Sequence, residues 1–153
     1  MNVWREGRTF VSMLERKQHL LSGDIVKVRN TIAQIKQHIA LQYKEHEEIN
    51  QKIKNLTPSG VTSRSEIYQR IRRQGTLLSQ QQNIIQKINQ LESERSDNEQ
   101  MLQHHLEAMI LLDKRHHKMS GYLQEIRKMH LRRRANNREN EVQEMAGHVS
   151  KNH

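Results

Sequence analysis

The sequence predicts an all-α protein, a long antiparallel two-helix coiled coil folded as an α-hairpin. Three observations predict it: a strict heptad repeat in the first third, a looser repeat over most of the rest, and the only proline, Pro58, between them. Of the 153 residues, 33% are hydrophobic and 28% are charged. That is too little apolar surface for a compact globular core, but it suits two narrow helical seams.

The first segment, residues 1–56, has apolar side chains at heptad positions a and d. With a counted from Trp4 and d from Gly7, the positions that are not large and apolar are Gly7, Gln18, Gln42 and His46. A 3.5-residue repeat kept this long requires a partner helix and left-handed supercoiling. A glycine at position 23 costs about 1 kcal/mol relative to alanine, so we expect a soft spot and no break.

A turn is predicted at residues 57–62, which read Thr-Pro-Ser-Gly-Val-Thr. Ser63 and Glu66 have the spacing of a capping box, so a second helix is expected over residues 63–145. Beyond it, we expect a disordered tail at residues 146–153.

The second helix has a looser seam than the first. Its apolar positions are Ile67, Leu77, Ile84, Ile88, Leu91, Leu102, Met109, Leu112, Met119, Leu123 and Ile126. Polar residues interrupt it at Arg70, Gln74, Gln81, Arg95, Asn98, His105 and His116. A parallel track is expected to widen the apolar stripe; it runs through Ile71, Leu78, Ile85, Leu106 and Ile110.

A six-residue turn would fold the two helices, each longer than about 80 Å at 1.5 Å per residue, into a hairpin. A symmetric turn places Trp4 near His116 and leaves everything past about residue 118 beyond the first helix. The competing architecture is a parallel dimer of bent or extended chains.

The positive charge of +9 is concentrated in one stretch. Residues 114–138 hold nine cations against one acid, Glu125, which leaves +8 there. These cations are Lys114, Arg115, Lys118, Arg127, Lys128, Arg132, Arg133, Arg134 and Arg138. In the hairpin, Arg5 and Arg8 would join them, so one end of the rod is expected to be basic. A solvated helix face is the plain alternative, but this concentration favours an anionic partner.

A second, smaller basic group lies just after the turn. It comprises Arg64, Arg70, Arg72 and Arg73, beside Tyr68. Tyr68 has a plain alternative, which is simply to cover the turn.

Among anionic partners, an acidic protein cavity fits best. Basic coiled-coil readers of DNA place their basic helix before the heptads, whereas here it follows them, and no aromatics interleave for base stacking. Nucleic acid is therefore the less favoured partner. A membrane surface would require Trp, Phe or Leu side chains opposite the basic face, and only Met129 and Leu131 are present near the three consecutive arginines.

Catalysis, metals and cofactors are not expected. The chain has no cysteine, and the neighbouring pairs His104–His105 and His116–His117 point about 100° apart on a helix, so neither pair can face one ion. No apolar run approaches the roughly 18 residues of a membrane span, and residues 1–8 lack the apolar region of a secretory signal. We therefore expect a cytoplasmic, non-enzymatic protein.

The stretch Ser63-Arg64-Ser65-Glu66-Ile67-Tyr68-Gln69-Arg70-Ile71-Arg72-Arg73-Gln74 resembles type III secretion stalk proteins. These form the InvI/SpaM branch of the FliJ-like family, which has a similar Ser-Arg-x-Glu-Ile-Tyr followed by a basic pair and Gln. The resemblance implies an antiparallel coiled coil that sits in the pore of a hexameric secretion ATPase and links it to the export gate. It also implies secretion chaperones as further partners.

The resemblance assigns roles to both basic groups. The terminal cations, Lys114 to Arg138 with Arg5 and Arg8, would face the ATPase ring at the cytoplasmic face of the apparatus. Tyr68, Ile71, Arg72 and Arg73 would contact the export gate. The alternatives are a basic coiled-coil module that binds nucleic acid and a generic dimerising scaffold.

Overall fold

The computed structural model describes residues 2–56 and 63–151, with side chains as far as residue 147. It contains two helices, α1 (Asn2–Lys54) and α2 (Arg64–Lys151), and no strand occurs in the described residues. The two helices pack against each other, which confirms the all-α helical hairpin. The predicted turn at 57–62 lies outside the described residues.

The heptad of α1 matches its burial position by position. Every a and d residue from Trp4 to Leu56 is buried or half-buried. The fully buried members are Gly7, Leu14, Ile25, Val28, Ile32, Ile35, Ile39 and Ile49. The helix runs unbroken through Gly23, as expected, because one glycine in a long packed helix costs little.

The seam of α2 begins later than the sequence suggested. Leu77 is its first buried residue, and the predicted seam residue Ile67 is exposed. From Leu77 to His130, buried or half-buried residues recur at alternating spacings of three and four. The parallel track does not widen this stripe, because Ile71, Leu78, Ile85 and Ile110 are exposed and Leu106 alone of that track is half-buried.

The N-terminus of α2 is capped as predicted. The Glu66 amide donates to the Ser63 hydroxyl at 3.3 Å, and the Ile67 amide donates to the Ser63 carbonyl at 3.1 Å. The first bond satisfies one of the amides that a helix start leaves unpaired, and the second is the first backbone bond of the helix itself. The reciprocal bond of a capping box, from the Ser63 amide to the Glu66 carboxylate, is not formed among the described residues.

The far end of α2 also differs from expectation. The helix continues past residue 145 to Lys151, so helical backbone covers most of the predicted tail at 146–153. Residues 152 and 153 lie outside the described part.

The chain divides into two compact units. Unit 1 pairs α1 up to Gly23 with α2 from Glu107 onward, and unit 2 comprises Asp24–Leu106.

In unit 2, the core is apolar. Ile49, Leu77, Ile84 and Ile88 form a buried cluster, against which Ile53 and Leu56 pack. Burial of each such side chain contributes about 1.5–3 kcal/mol. One polar atom in this seam, Gln42 Oε1, is buried without a hydrogen-bond partner.

In unit 1, contacts between the helices fix the register. His116 Nε2 lies 3.0 Å from Glu15 Oε1, and the Gln18 amide donates to Asp113 Oδ1 at 2.8 Å. The prediction that Trp4 faces His116 is therefore wrong by about three helical turns. The symmetric turn assumed for that prediction is the cause: residues 64–76 of α2 contain no buried side chain, so pairing starts well after the helix does.

Candidate partner-binding surfaces

The basic surface of unit 1 consists of the predicted terminal cations. All of them are exposed: Arg5, Arg8, Lys114, Arg115, Lys118, Arg127, Lys128, Arg132, Arg133, Arg134 and Arg138. Those up to Lys128 flank the seam, whose residues in the same stretch are His116, Met119, Leu123, Ile126 and His130, and the other four lie beyond its end. The heptad thus turns the apolar side chains inward and leaves the cations facing solvent.

Few of these cations have an intramolecular counter-ion. Among the described residues, Lys128 pairs weakly with Glu125 at 4.0 Å, and no other member of the basic surface takes part in an ion pair. Arg8 lies 6.0 Å from the centre of the Trp4 ring, at the outer limit of a cation–π contact. The surface therefore retains its positive potential for an external anion.

Gly7 shows how α1 joins this surface. It is buried against Leu123, and a Cβ at this position would collide with the Leu123 side chain. Because Gly7 lies at the level of Leu123, its neighbours Arg5 and Arg8 lie beside residues near Leu123, in the middle of the basic stretch. The sequence predicted this association but placed it near residue 116.

The distal part of α2, residues 131–147, is exposed at every position. It contains Arg132, Arg133, Arg134 and Arg138, and the register leaves it beyond the first residue of α1. Sequence reasoning expected an overhang past about residue 118, whereas burial of Leu123 shows that packing extends further.

The second predicted group lies on the first turns of α2, within unit 2. Tyr68 and Ile71 are 57% and 58% exposed, and Arg72 and Arg73 are exposed as well. No side chain from 64 to 76 is buried, and Arg70 is half-buried. Two large apolar side chains in contact with water beside two cations form a surface that a partner could cover.

The histidines occupy ordinary coiled-coil positions. His105 and His116 are half-buried on the seam, and His104 and His117 are exposed. Within the part of the chain that the structure describes, no three His, Asp or Glu side chains come together as a possible metal site.

Sequence reasoning missed two features of unit 1. The first is a pair of polar contacts between the two helices at the edge of the seam, Gln18 with Asp113 and Glu15 with His116. The second is a set of positions in the distal part of α2, spaced alternately by four and three from Leu131, which are apolar except for Arg138. The spacing was a usable signal, but it does not continue the seam that ends at His130, whose next positions would be residues 133 and 137.

Neither described helix contains a segment long and apolar enough to cross a membrane.

Fold and surface together define a coiled-coil hairpin protein with a strongly basic unit 1 and an exposed apolar-basic group at the start of α2. A family model, Salmonella surface presentation of antigen gene type M protein, matches residues 5–146. The chain belongs to this family, which confirms the resemblance and makes it a component related to type III secretion and virulence. No curated protein and no solved structure matches the chain.

Proposed function

We propose that this protein is the non-catalytic central stalk of a type III secretion apparatus. In this proposal it inserts into the hexameric secretion ATPase at the cytoplasmic face and couples it to the export gate. The observation that supports the proposal most is the basic surface of unit 1: nine cations against one acid in residues 114–138, exposed and nearly without counter-ions.

The physical argument for an ATPase partner is electrostatic. A dense set of fixed cations raises the energy of the free protein by mutual repulsion and lowers it against an acidic surface. A helical hairpin with exposed cations on both of its helices suits an acidic ring pore, which would surround it. Arginine dominates the distal part, and its planar guanidinium binds carboxylates bidentately.

The ATPase contact is tested with a triple charge reversal. Wild-type protein added to the cognate hexameric ATPase is expected to stimulate hydrolysis or promote assembly of the ring. The variant Arg132→Glu, Arg133→Glu, Arg134→Glu is expected to lose this effect while keeping its fold, because none of the three side chains is buried.

The matched control is Arg64→Glu, Arg72→Glu, Arg73→Glu. It makes the same change in net charge at exposed positions of unit 2 and is expected to keep the stimulation. If the wild-type protein changes neither hydrolysis nor assembly, the stalk proposal fails.

The exposed group at the start of α2 supports a gate contact. Tyr68 and Ile71 expose more than half of their surface, and no α1 residue buries them. Arg72 and Arg73 add charge beside them, an arrangement typical of interfaces with an apolar centre and a polar rim. We propose that this group binds the export gate, and that secretion chaperones are further partners of the stalk.

The gate contact is tested by Tyr68→Ala with Ile71→Ala. Binding to the soluble domain of the export gate is expected to weaken at least about tenfold, because anchor residues of this kind contribute 1–2 kcal/mol or more each. Tyr43→Ala with Ile85→Ala is the control, since it removes one exposed tyrosine and one exposed isoleucine from the same unit. Equal loss in both variants would argue against a specific surface.

The same positive charge would also favour a nucleic-acid partner. The salt dependence of binding distinguishes that partner from an ATPase. A chain that neutralised several phosphates would be retained on DNA with a binding constant falling steeply as salt rises. Sequence-selective retention of that kind would replace the stalk proposal.

A further inference from the structure

The distal part of α2 has an apolar stripe that none of the described residues covers. Its residues are spaced alternately by four and three: Leu131, Ala135, Arg138, Val142 and Met145. Leu131, Val142 and Met145 are 53%, 65% and 70% exposed, and no described residue from 131 to 147 is buried. Such spacing is that of coiled-coil core positions, which gain their stability against a second helix.

The charges beside this stripe are self-complementary. Arg132 and Glu139 lie on one flank, each directly after a stripe residue. Arg134 and Glu141 lie on the other flank, each directly before one. Flanking charges of a coiled coil decide which helix pairs with it and in which orientation.

An antiparallel second copy satisfies all of these charges. If Leu131 of one chain packs on Val142 of the other, Ala135 packs on Arg138. Each flank of the stripe then lies against the same flank of the second copy, which runs in the opposite direction. Arg132 then faces Glu139 and Arg134 faces Glu141, twice each across the two-fold axis. The small Ala135 leaves room for the stem of Arg138, whose guanidinium can reach water.

A parallel pair fits the same charges less well. It would bring Arg134 opposite Glu139, but it would also set Arg127 opposite Arg132 on both sides of the seam. Like charges in these positions repel, so the pattern favours the antiparallel arrangement.

We infer that residues 131–145 form a self-association surface on which a second copy of this chain docks antiparallel. The surface is short and has three large apolar residues, so the dimer belongs to the weak, concentration-dependent class. The inference does not depend on the proposed stalk function.

The first test is sedimentation velocity of the full chain over a wide range of concentrations. A monomer–dimer equilibrium is expected, and the pair Glu139→Arg with Glu141→Arg should weaken it at least about tenfold by turning attraction into repulsion. Adding Arg132→Glu and Arg134→Glu to that variant restores every opposite-charge pair and should restore the dimer. A protein that stays monomeric at all concentrations, or a dimer indifferent to the reversal, overturns the inference.

A second pair of variants tests the stripe itself. Arg138→Leu removes the central charge and should tighten the dimer about tenfold, whereas Asn140→Leu adds the same side chain on the opposite face of α2 and should not. Equal effects would indicate non-specific stickiness and contradict the inference.

The orientation is tested by crosslinking, which the absence of native cysteine makes clean. Leu131→Cys mixed with Val142→Cys should form a mixed disulfide, and Val142→Cys alone should not form one with itself. The reverse result would overturn the antiparallel arrangement, because the two copies of position 142 lie far from the two-fold axis and meet only in a parallel pair.

Discussion

Unit 2 and unit 1 hold their helices together with different chemistry. All of the buried apolar residues of the described chain except Leu14 and Leu123 lie in unit 2, and most of them are isoleucine. In unit 1, by contrast, Gly7 packs against Leu123, and the Gln18–Asp113 and Glu15–His116 contacts join the two helices at the edge of the seam.

This difference indicates that one unit mainly stabilises the fold and the other mainly presents a surface for partners. Apolar burial, at about 25 cal/mol per Å², is the main favourable term in folding, whereas exposed polar contacts contribute little. Unit 2 is therefore expected to provide most of the stability. Unit 1 has fewer buried side chains, and its residues carry +6 of the chain's net charge of +9.

The largest expected effect comes from a buried isoleucine of unit 2, Ile84, compared with its exposed neighbour Ile85. Ile84 is 6% exposed and Ile85 is 45% exposed. Ile84→Ala should lower the free energy of unfolding by about 2–5 kcal/mol, because it leaves a cavity between the helices. Urea denaturation followed by circular dichroism measures the loss.

Ile85→Ala is the matched control, with the same chemical change one residue along α2. It should cost well under half as much, since its side chain already contacts water. Equal losses would mean that the seam of unit 2 is wider than its burial indicates.

An intermediate effect is expected from two glycines of unit 1. A Cβ at Gly121 meets nothing within 4 Å, whereas a Cβ at Gly7 collides with Leu123. Gly121→Ala should stabilise the protein by about 1 kcal/mol through helix propensity, and Gly7→Ala should be at least about 1 kcal/mol less stable than Gly121→Ala. Thermal unfolding of the two variants side by side measures this difference.

If both alanines stabilise equally, the close approach of the helices at Gly7 makes no contribution to unit 1, and its register depends on the polar contacts.

The smallest effect is expected from the polar contact itself. Because the side chain of Glu15 is 59% exposed, Glu15→Gln should lower the stability by no more than about 0.5 kcal/mol. A double-mutant cycle with His116→Gln isolates the pairwise energy. A coupling above about 1 kcal/mol would exceed what an exposed polar pair normally contributes and would contradict the small role given to this contact.

The sequence predicted α1 almost completely. Its heptad is strict, and a side chain every 3.5 residues can be buried only along one line of the helix, so position determines burial. Even the polar members Gln18, Gln42 and His46 are half-buried, as the repeat requires.

The register and the ends of α2 could not be predicted in the same way. A heptad seam is periodic, so sliding α2 along α1 by whole repeats keeps apolar residues in contact at nearly every step. Only particular fits, such as Gly7 with Leu123, distinguish one register from another. The sequence does not show which glycine packs against which leucine, and the assumption of a symmetric turn predicted the wrong register.

The candidate basic surfaces could be predicted because the sequence shows directly where the cations cluster along the chain. The cations from Lys114 to Arg138 are exposed, as their positions outside the seam require. The apolar stripe from Leu131 to Met145 was not recognised, because it does not continue the alternation of the seam that ends at His130.

The helix beyond His130 has a consequence for how long the free protein survives. No described side chain from 131 to 147 is buried, so this part stays helical without the packing that normally stabilises a helix in water. Segments of this kind open locally at low free energy, and the consecutive Arg132, Arg133 and Arg134 are substrates for trypsin-like proteases. The unbound chain should therefore lose its C-terminal end first, and any partner that covers the arginines should also act as its protection from degradation.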